Sequence, residues 1–432
     1  MSAHEFTASL PPPLVTGSCC PVSSCWDAVI EKSSVRAVPI AAATAAQYNR
    51  SPLGLSLYAD DTAVAGRPPS PQPSPSSYLL DGLLREINLR KAEFTGRVTP
   101  WIKWRIPHHL LDNTDTTQLM YFIGRQFQLN DSHNNFYCVS FALHEVDTER
   151  LALFKGLGFN ALEIIIPAED DFDADDLAYC AALARDFHFQ HFTVECRSTA
   201  ARIDEKLWQV LRPSRQPSGV RTPDSISFKP RDSESAAASS LLQKLYWRLS
   251  NSGYSVLGND VFVKAGSPLA LAQTHSQLSR NLQDYNCQQV TDVLGLGPRN
   301  TSIIGAFRST NPKTLSQYLS HSFYRRRVEV VDVRVKEMIN QLLCYHQLNL
   351  LYCHEQLGVD LEYLFSQLQD IPQFPPAAPP QSISPGAGAN HLLSTAQPLY
   401  QLQNNTLKLT PNGILQLSSI CQALNRLFPL VK

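Results

Sequence analysis

The feature that most constrains this chain is a regular alternation of apolar strand segments and helical patterns between residues 52 and 196. Phe159–Ile166 is apolar almost throughout, which is typical of a parallel strand that is buried on both faces. Between the strands, apolar residues recur at helical spacing, as at Leu79, Leu83 and Ile87. The predicted strands are Leu53–Tyr58, Trp101–Ile106, Phe136–Leu143, Phe159–Ile166 and Phe189–Cys196. Their short connections to helices predict a parallel α/β sheet, over residues 51–211, that curls into a partial barrel.

The segments around this core have a different composition. Residues 1–50 lack clear periodicity and predict a loosely ordered arm. Residues 212–240 are rich in Ser, Pro and charge, which predicts a flexible linker or loop. Residues 241–305 are expected to complete the barrel, with a strand over Tyr254–Val263 and a helix from Ser267 to about Gln283.

Residues 306–432 are expected to form a separate C-terminal domain. Helical patterns dominate it, and a small hairpin is predicted around Asn404 and Asn405. A closing helix begins at Thr410 and Pro411, because a polar cap followed by a first-turn proline favours a helix start. Helices with a hairpin predict a small, mostly helical, winged-helix-like domain.

Composition excludes several classes of partner. The net charge is −1, so no global field favours nucleic acid or an anionic membrane. No apolar run is long enough for a membrane span, and no basic segment with a following apolar stretch opens the chain. Ten cysteines in 432 residues do not indicate a disulfide scaffold. We expect a soluble, reduced, cytoplasmic protein that uses neither a membrane nor nucleic acid.

The segment from Gly253 to Gly305 carries a series of spaced motifs. It resembles the corresponding segment of the oxygen-independent coproporphyrinogen III dehydrogenases (oxidases), which are radical SAM enzymes of haem synthesis. The matching pieces are Gly253-Tyr254, Gly258, Asp260-x-Phe262, Ala270-x-Ala272-Gln273, Arg280-Asn281-x-Gln283-x-Tyr285, Thr291-Asp292-x-Leu294-Gly295-x-Gly297 and Ser302-x-Ile304-Gly305. The resemblance implies a partial (β/α) barrel of radical SAM type with a small C-terminal domain.

The family's iron–sulfur cluster needs three cysteine thiolates after the first strand, and S-adenosylmethionine (SAM) binds its fourth iron. Counted from Tyr58, the three ligand positions fall at about Val64, Pro68 and Pro71. None of these residues can bind iron. We therefore expect no metal site and no cofactor, although the family uses a 4Fe-4S cluster and SAM.

Other positions that contact SAM in the family also differ. The resemblance leaves Tyr58, Trp104 and Glu195 as relics of that site. The family's Gly-rich turn after the second strand has become Arg105-Ile106-Pro107, which is bulkier and lacks one backbone donor. We expect this site to be out of use.

By contrast, the resemblance leaves a substrate-facing set in the second half of the chain. It consists of Arg280, Asn281, Gln283, Tyr285 and Asp260. A guanidinium with amide and phenol neighbours suits a carboxylate, and coproporphyrinogen carries propionates. The alternative is that the polar residues of this segment cap helices and tie loops to the barrel.

The sequence thus predicts a protein linked to haem and porphyrin biosynthesis that is a pseudoenzyme. Binding a porphyrinogen or haem, and modulating the pathway through a haem-biosynthesis enzyme, are the roles left to it. Two alternatives stay open. One is a regulatory or scaffold protein that acts through the C-terminal domain, and the other is an enzyme that acts on porphyrinogens by a non-radical route.

Overall fold

We analysed a computed structural model of the chain. It describes residues 35–36, 51–60, 75–129, 134–166, 174–197, 222–229, 236–258, 260–320, 328–330, 332–371 and 398–427. The expected cluster positions Val64, Pro68 and Pro71 lie outside these residues, as does the arm 1–50 except for its strand Val35–Arg36.

A single thirteen-stranded sheet dominates the fold, and a three-stranded sheet belongs to the C-terminal domain. The strands are β1 Val35–Arg36, β2 Leu53–Tyr58, β3 Val98–Thr99, β4 Trp101–Arg105, β5 Gln128–Leu129, β6 Phe136–Ala142, β7 Ala161–Ile166, β8 His191–Cys196, β9 Ser225–Phe228, β10 Tyr254–Leu257, β11 Val261–Lys264, β12 Ser279–Arg280, β13 Tyr285–Asn286, β14 Asp292–Leu296, β15 Thr301–Ile304, β16 Phe307–Thr310, β17 Val328–Val330, β18 Gln347–Asn349, β19 Tyr400–Gln403 and β20 Thr406–Leu409.

The centre of the large sheet is parallel, as predicted. Strands β14, β2, β4, β6, β7, β8 and β9 are neighbours in that order, and each adjacent pair is parallel. Antiparallel strands extend both sides, so the described sheet begins at β1 and ends at β10 without closing on itself. The expected partial barrel of α/β class is confirmed.

Helices cover one face of this sheet, which we call the outer face. They and the C-terminal helices are α1 Pro75–Leu89, α2 Asn113–Gln126, α3 Thr148–Gly156, α4 Ala174–Asp186, α5 Ala236–Asn251, α6 Pro268–Thr274, α7 Leu315–Ser320, α8 Val333–Tyr345, α9 Leu350–Glu355, α10 Leu361–Gln369, α11 Pro411–Leu415 and α12 Leu417–Asn425. Alternate strand residues such as Leu55, Ile102 and Leu162 are fully buried in the core beneath these helices. Because side chains alternate across a strand, the intervening residues lie on the opposite, inner face.

The prediction of a flexible linker over residues 212–240 is wrong for two segments, one that forms a strand and one that begins a helix. Ser225–Phe228 forms β9, which pairs in parallel with β8, and α5 already begins at Ala236. Ile226 and Phe228 are fully buried. Only these two apolar residues alternate with serines in the strand, and polar residues surround it, so the sequence pattern did not indicate a strand. Pairing with β8 supplies the stabilisation that the local sequence lacks.

Two further expectations in the second half are corrected. The strand predicted over Tyr254–Val263 is a hairpin of β10 and β11, which turns at Gly258, whose φ is +62°. The helix predicted to reach Gln283 ends at Thr274, because Ser276 adopts a left-handed conformation that stops it. The chain then forms the small hairpin of β12 and β13.

The C-terminal domain is confirmed as helical with a wing. β19 and β20 form the predicted hairpin, with Asn404 and Asn405 at positive φ. However, β16 and β17 extend the large sheet, so the domain begins near α8 instead of at residue 306. None of the helices in the described ranges is both long and apolar enough to cross a membrane.

Candidate functional site

Charged residues converge on the inner face of the sheet. In β4, Ile102 and Trp104 pack into the outer core, so Lys103 and Arg105 point inward. The same alternation turns Glu163 of β7 and Glu195 of β8 inward. Parallel strands thus deliver two cations and two carboxylates to one surface.

These side chains form a connected ion-pair network. Arg105 Nη2 lies 2.7 Å from Glu163 Oε2 and 2.6 Å from Glu195 Oε2. Lys103 Nζ lies 2.8 Å from Glu163 Oε1 and also contacts Asp284, which follows β12. We call Lys103, Arg105, Glu163, Glu195 and Asp284 the inner cluster.

Other groups complete the surroundings of the two glutamates. Ser140 Oγ of β6 donates a hydrogen bond of 2.6 Å to Glu163. Lys229 Nζ and Arg197 Nε lie 2.7 Å and 2.6 Å from the Glu195 carboxylate. Glu195 is fully buried, so its charge depends entirely on these partners.

The electrostatics of the inner cluster oppose acid–base catalysis. Burial acts to raise the pKa of Glu163, but Arg105 and Lys103 outweigh it and hold that pKa below its usual range. Burial likewise opposes ionisation of Glu195, yet Arg105, Lys229 and Arg197 hold its pKa well below the usual range. A general base works best with a pKa near the working pH. Both glutamates are therefore charge partners and poor proton acceptors.

A thiol near the inner cluster is equally inert. Cys138 of β6 is buried, and burial raises its pKa, with Glu163 adding to the effect. A thiol whose pKa is raised stays protonated near neutral pH, and only the thiolate is a good nucleophile or metal ligand.

The three expected relics lie in different surroundings. Glu195 belongs to the inner cluster. Tyr58, at the end of β2, donates a hydrogen bond of 2.7 Å to Asp60, and burial with this bond raises its pKa to about 12. Trp104 faces the outer core, where it packs edge-on against Phe154 at 5.3 Å between ring centroids. Trp104 is thus part of the packing under the helices.

The expected substrate-facing residues do not form one surface. Asn281 Oδ1 accepts hydrogen bonds of 2.9 Å from the backbone N–H groups of Gln283 and Asp284, so it shapes the hairpin turn. The Gln283 side chain donates to Ser56 Oγ on the inner face of β2. Asp260 is buried at the start of β11, and its carbonyl oxygen accepts from Phe228 N at 2.8 Å.

Arg280 and Tyr285 pack together but line different cavities. The Arg280 guanidinium lies 4.5 Å from the Tyr285 ring centroid. Tyr285 lines a cavity of about 440 Å³, together with Phe136, His191 and Lys103. Arg280 lines a smaller cavity of about 250 Å³ beside α8. The larger cavity lies at the amino ends of β6, β8 and β9 and reaches up to the inner cluster.

Sequence reasoning missed most of the inner cluster. Lys103, Arg105, Glu163 and Asp284 were not predicted as site residues. A usable signal was present, because a charged residue in a buried parallel strand, such as Glu163 in the run ALEIII, needs a partner inside the protein.

The residues present do not fit an iron–sulfur cluster. The sequence has no cysteine between Cys25 and Cys138. Across the residues that the structure describes, no three His, Cys, Asp or Glu side chains are grouped so as to hold a metal ion. Arg105, at the turn where the family has glycines, directs its side chain across to β7 and β8.

Comparison with known proteins identifies relatives of this chain. No family model matches it. It is 26% identical over 326 residues to the oxygen-independent coproporphyrinogen III oxidase of Salmonella typhimurium, covering 67% of this chain and 70% of that protein. The namesake from Pseudomonas aeruginosa is 27% identical over 197 residues, and that from Thermostichus vulcanus 28% over 141 residues. The chain spans less than half the length of these last two proteins, 38% and 43%.

A solved structure shows the same fold. Coproporphyrinogen III oxidase (HemN) from Escherichia coli, described as a radical SAM enzyme, superposes with a TM-score of 0.67 at 20% identity. The superposition covers 88% of this chain and 92% of that structure. The resemblance seen in the motifs is confirmed: the chain is similar in sequence to oxygen-independent coproporphyrinogen III oxidases and shares the fold of a solved structure that is described as a radical SAM enzyme.

Proposed function

We propose that this chain serves haem biosynthesis as a cytoplasmic protein that binds a tetrapyrrole, such as a porphyrinogen or haem, and performs no radical SAM chemistry. The observation that carries the proposal is the inner cluster. Its ion pairs join β4, β7 and β8 across the inner face, and the larger cavity reaches this cluster from the amino ends of β6, β8 and β9.

The cluster argues against radical chemistry in two ways. Arg105 and Glu195 are engaged in short ion pairs on the inner face, so a cofactor that displaced either side chain would leave a charge without its partner. Breaking a buried pair costs several kcal/mol, about 3 to 5 when one partner is removed. Because residues 26 to 137 contain no cysteine, neither β2, nor β4, nor the connection between them supplies a thiolate to hold iron.

The larger cavity supports a tetrapyrrole ligand. Its volume of about 440 Å³ falls within the range of roughly 300 to 1,000 Å³ that is typical of small-molecule sites. Phe136 and Tyr285 give it aromatic walls, and Lys103 and His191 give it polar groups. A tetrapyrrole presents a flat apolar ring, which suits the aromatic walls, and the relatives are named for coproporphyrinogen III.

Titration of coproporphyrin III, followed by its fluorescence, tests the binding. We expect micromolar affinity in the full chain. Ser227→Phe, which fills the larger cavity from β9, is expected to weaken binding about tenfold or more by excluding the ring. Arg280→Ala is the matched variant, because its side chain lines the other cavity. No binding to the full chain, or loss with Arg280→Ala alone, would contradict the proposed location.

Anaerobic reconstitution with iron and sulfide tests the second half of the proposal. We expect no stoichiometric iron and no turnover of coproporphyrinogen III. Recovery of about four irons per chain, as a 4Fe-4S cluster requires, would overturn the proposal.

A second candidate function is regulation through the C-terminal domain, with a haem-biosynthesis enzyme as partner. The observation that favours it is a set of large apolar side chains exposed on α9, α10 and β19: Leu351, Tyr352, Tyr363 and Leu402. All four side chains belong to the C-terminal domain, through which this role would act. Retention of a pathway enzyme on the immobilised wild-type chain, lost in Leu351→Glu, would support this role.

A further inference from the structure

A second cavity lies between the large sheet and the C-terminal domain. It measures about 250 Å³ and is lined by Arg280 and Asp292 on one side and by Lys336 and Asn340 of α8 on the other. Glu337, half-buried, also reaches it and accepts a hydrogen bond of 3.3 Å from Gln341. We call this space the α8 cavity.

The ammonium group of Lys336 is buried there with weak partners. Lys336 is 9% exposed. Its Nζ lies 3.3 Å from the Gly305 carbonyl oxygen and 3.6 Å from Asp292 Oδ1. Good hydrogen bonds to a charged group measure about 2.7 to 2.9 Å. Burial lowers the pKa of Lys336 by more than Asp292 raises it.

Asp292 is already committed to other donors. Its Oδ2 accepts from Arg97 Nη2 at 2.8 Å, and its Oδ1 accepts from the Gly305 N–H at 2.9 Å. Arg97 is 2% exposed, and its Nη1 has no hydrogen-bond partner among the residues that the structure describes. One carboxylate is therefore shared by two buried cations.

The charge balance around the α8 cavity is positive. Counting only residues that the structure describes, Arg280 and Lys336 of the lining and the adjoining Arg97 are cationic, whereas Asp292 and Glu337 are anionic. Asn340 adds a neutral donor, because its Oδ1 already accepts from Arg280 N at 3.1 Å and its amide Nδ2 is left to donate. Arg97 and Lys336, whose pairing is incomplete, favour an anion in the adjoining space.

We propose that the α8 cavity binds a small oxyanion, a phosphate or a carboxylate group, with Lys336 and Asn340 as its main donors. The anion would link the large sheet to the C-terminal domain, since its ligands come from both. The site is separate from the larger cavity, so anion binding here does not depend on the proposed binding of a tetrapyrrole.

Thermal unfolding of the full chain at constant ionic strength tests this site. Sodium phosphate and sodium succinate are compared with sodium chloride, because a ligand that binds only the folded state raises the unfolding temperature. We expect phosphate, succinate or both to raise the unfolding temperature above its value in chloride. A response to phosphate alone assigns the site to phosphate groups, and a response to succinate extends it to carboxylates.

Lys336→Met separates the site from a general salt effect. This variant removes the charge and keeps the length of the side chain, so we expect it to fold and to lose the anion response, with affinity about tenfold weaker or more. Lys408→Met, on an exposed lysine of β20, is the control and should keep the response. Asn340→Ala should weaken the response without altering charge, which provides a second test if Lys336→Met does not fold. An equal response in wild type and both cavity variants, or no response in wild type, would overturn the proposal.

Discussion

The inner face of the sheet and the segment from Arg280 to Gly305 differ in how closely they keep the family's motifs. On the inner face, Arg105 stands where the resemblance places a glycine of the cofactor site, and it pairs with Glu195, a predicted relic of that site. In the second segment the motif residues remain, and their contacts are mostly with the protein itself. Asp292 receives hydrogen bonds from Arg97 and Gly305, and Asn281 shapes a turn.

Two positions of that segment require glycine for steric reasons. Gly297 has a φ of +99°, and a Cβ there would lie 2.2 Å from the Tyr58 carbonyl oxygen. A Cβ on Gly295 would lie 2.4 Å from the Thr301 carbonyl oxygen. Both positions are closed to other residues by backbone contacts. A motif shared with relatives can therefore report packing and not only ligand binding.

The largest expected effect comes from breaking the inner cluster. Arg105→Met leaves Glu163 and Glu195 buried with fewer cations, and we expect a loss of about 4 kcal/mol in the free energy of unfolding. Urea denaturation measures it. Arg125→Met, on an exposed position of α2, is the control and should change stability by less than about 0.5 kcal/mol. Equal stability of Arg105→Met and wild type would show that the cluster does not hold the strands together.

The second-largest loss of stability should follow from adding a side chain at a retained glycine. Gly297→Ala combines a left-handed backbone with a clash against Tyr58, so we expect a loss of about 3 kcal/mol in the free energy of unfolding. Gly124→Ala is the matched control, because a Cβ there meets nothing and α2 favours alanine by up to about 1 kcal/mol. If both variants behaved alike in denaturation, the packing explanation of the motif would be wrong.

Removing the turn-forming amide should cost less. Asn281→Ala leaves two backbone N–H groups without their acceptor in a buried turn, and we expect a loss of about 1 to 2 kcal/mol. Because we assign Asn281 to structure, coproporphyrin III affinity should be unchanged in the folded variant. Loss of affinity at unchanged stability would instead return Asn281 to the ligand site.

The smallest effect is a change in acid sensitivity. The pKa values of Glu163 and Glu195 are held low in the folded state, so their stabilisation is present above their unfolded values, about 4.3, and is lost as the pH falls below them. In Glu195→Gln, the fall in unfolding free energy with decreasing pH should be shallower by up to about 1.4 kcal/mol per pH unit. The measurement is denaturation at a series of acidic pH values. If the dependence of unfolding free energy on pH were the same in Glu195→Gln and wild type, the ion pairs would not be lowering the pKa of Glu195.

The main elements of the first half were predictable because their signals are local. The apolar run Phe159–Ile166 is typical of a buried parallel strand, and it contains β7. The predicted helix cap at Asp147 is the N-cap residue of α3. The short strand β9 and the hairpin of β12 and β13 escaped prediction. Their stabilisation comes from partners distant in the chain, and a few residues carry too little periodicity to reveal it.

The candidate site was predictable only in part. Glu195 was predicted as a relic of the cofactor site, and it does lie at the centre of the inner cluster. Arg280 and Tyr285 were expected on one surface, but each lines a separate cavity. The hairpin of β12 and β13, which formed where a helix was expected, pairs Arg280 directly opposite Tyr285, so their mutual contact was not predicted.

The sequence by itself determined the α/β class, the motifs of the second half and the lack of cysteines from residue 26 to residue 137, since each depends on the type and spacing of residues near one another. Only the tertiary structure decided which charges meet. Arg105, Glu163 and Glu195 belong to strands far apart in the chain, and β6 lies between β4 and β7 in the sheet. Ion pairing acts over a few ångströms, so strand order and register, which no local pattern encodes, decide whether these side chains touch.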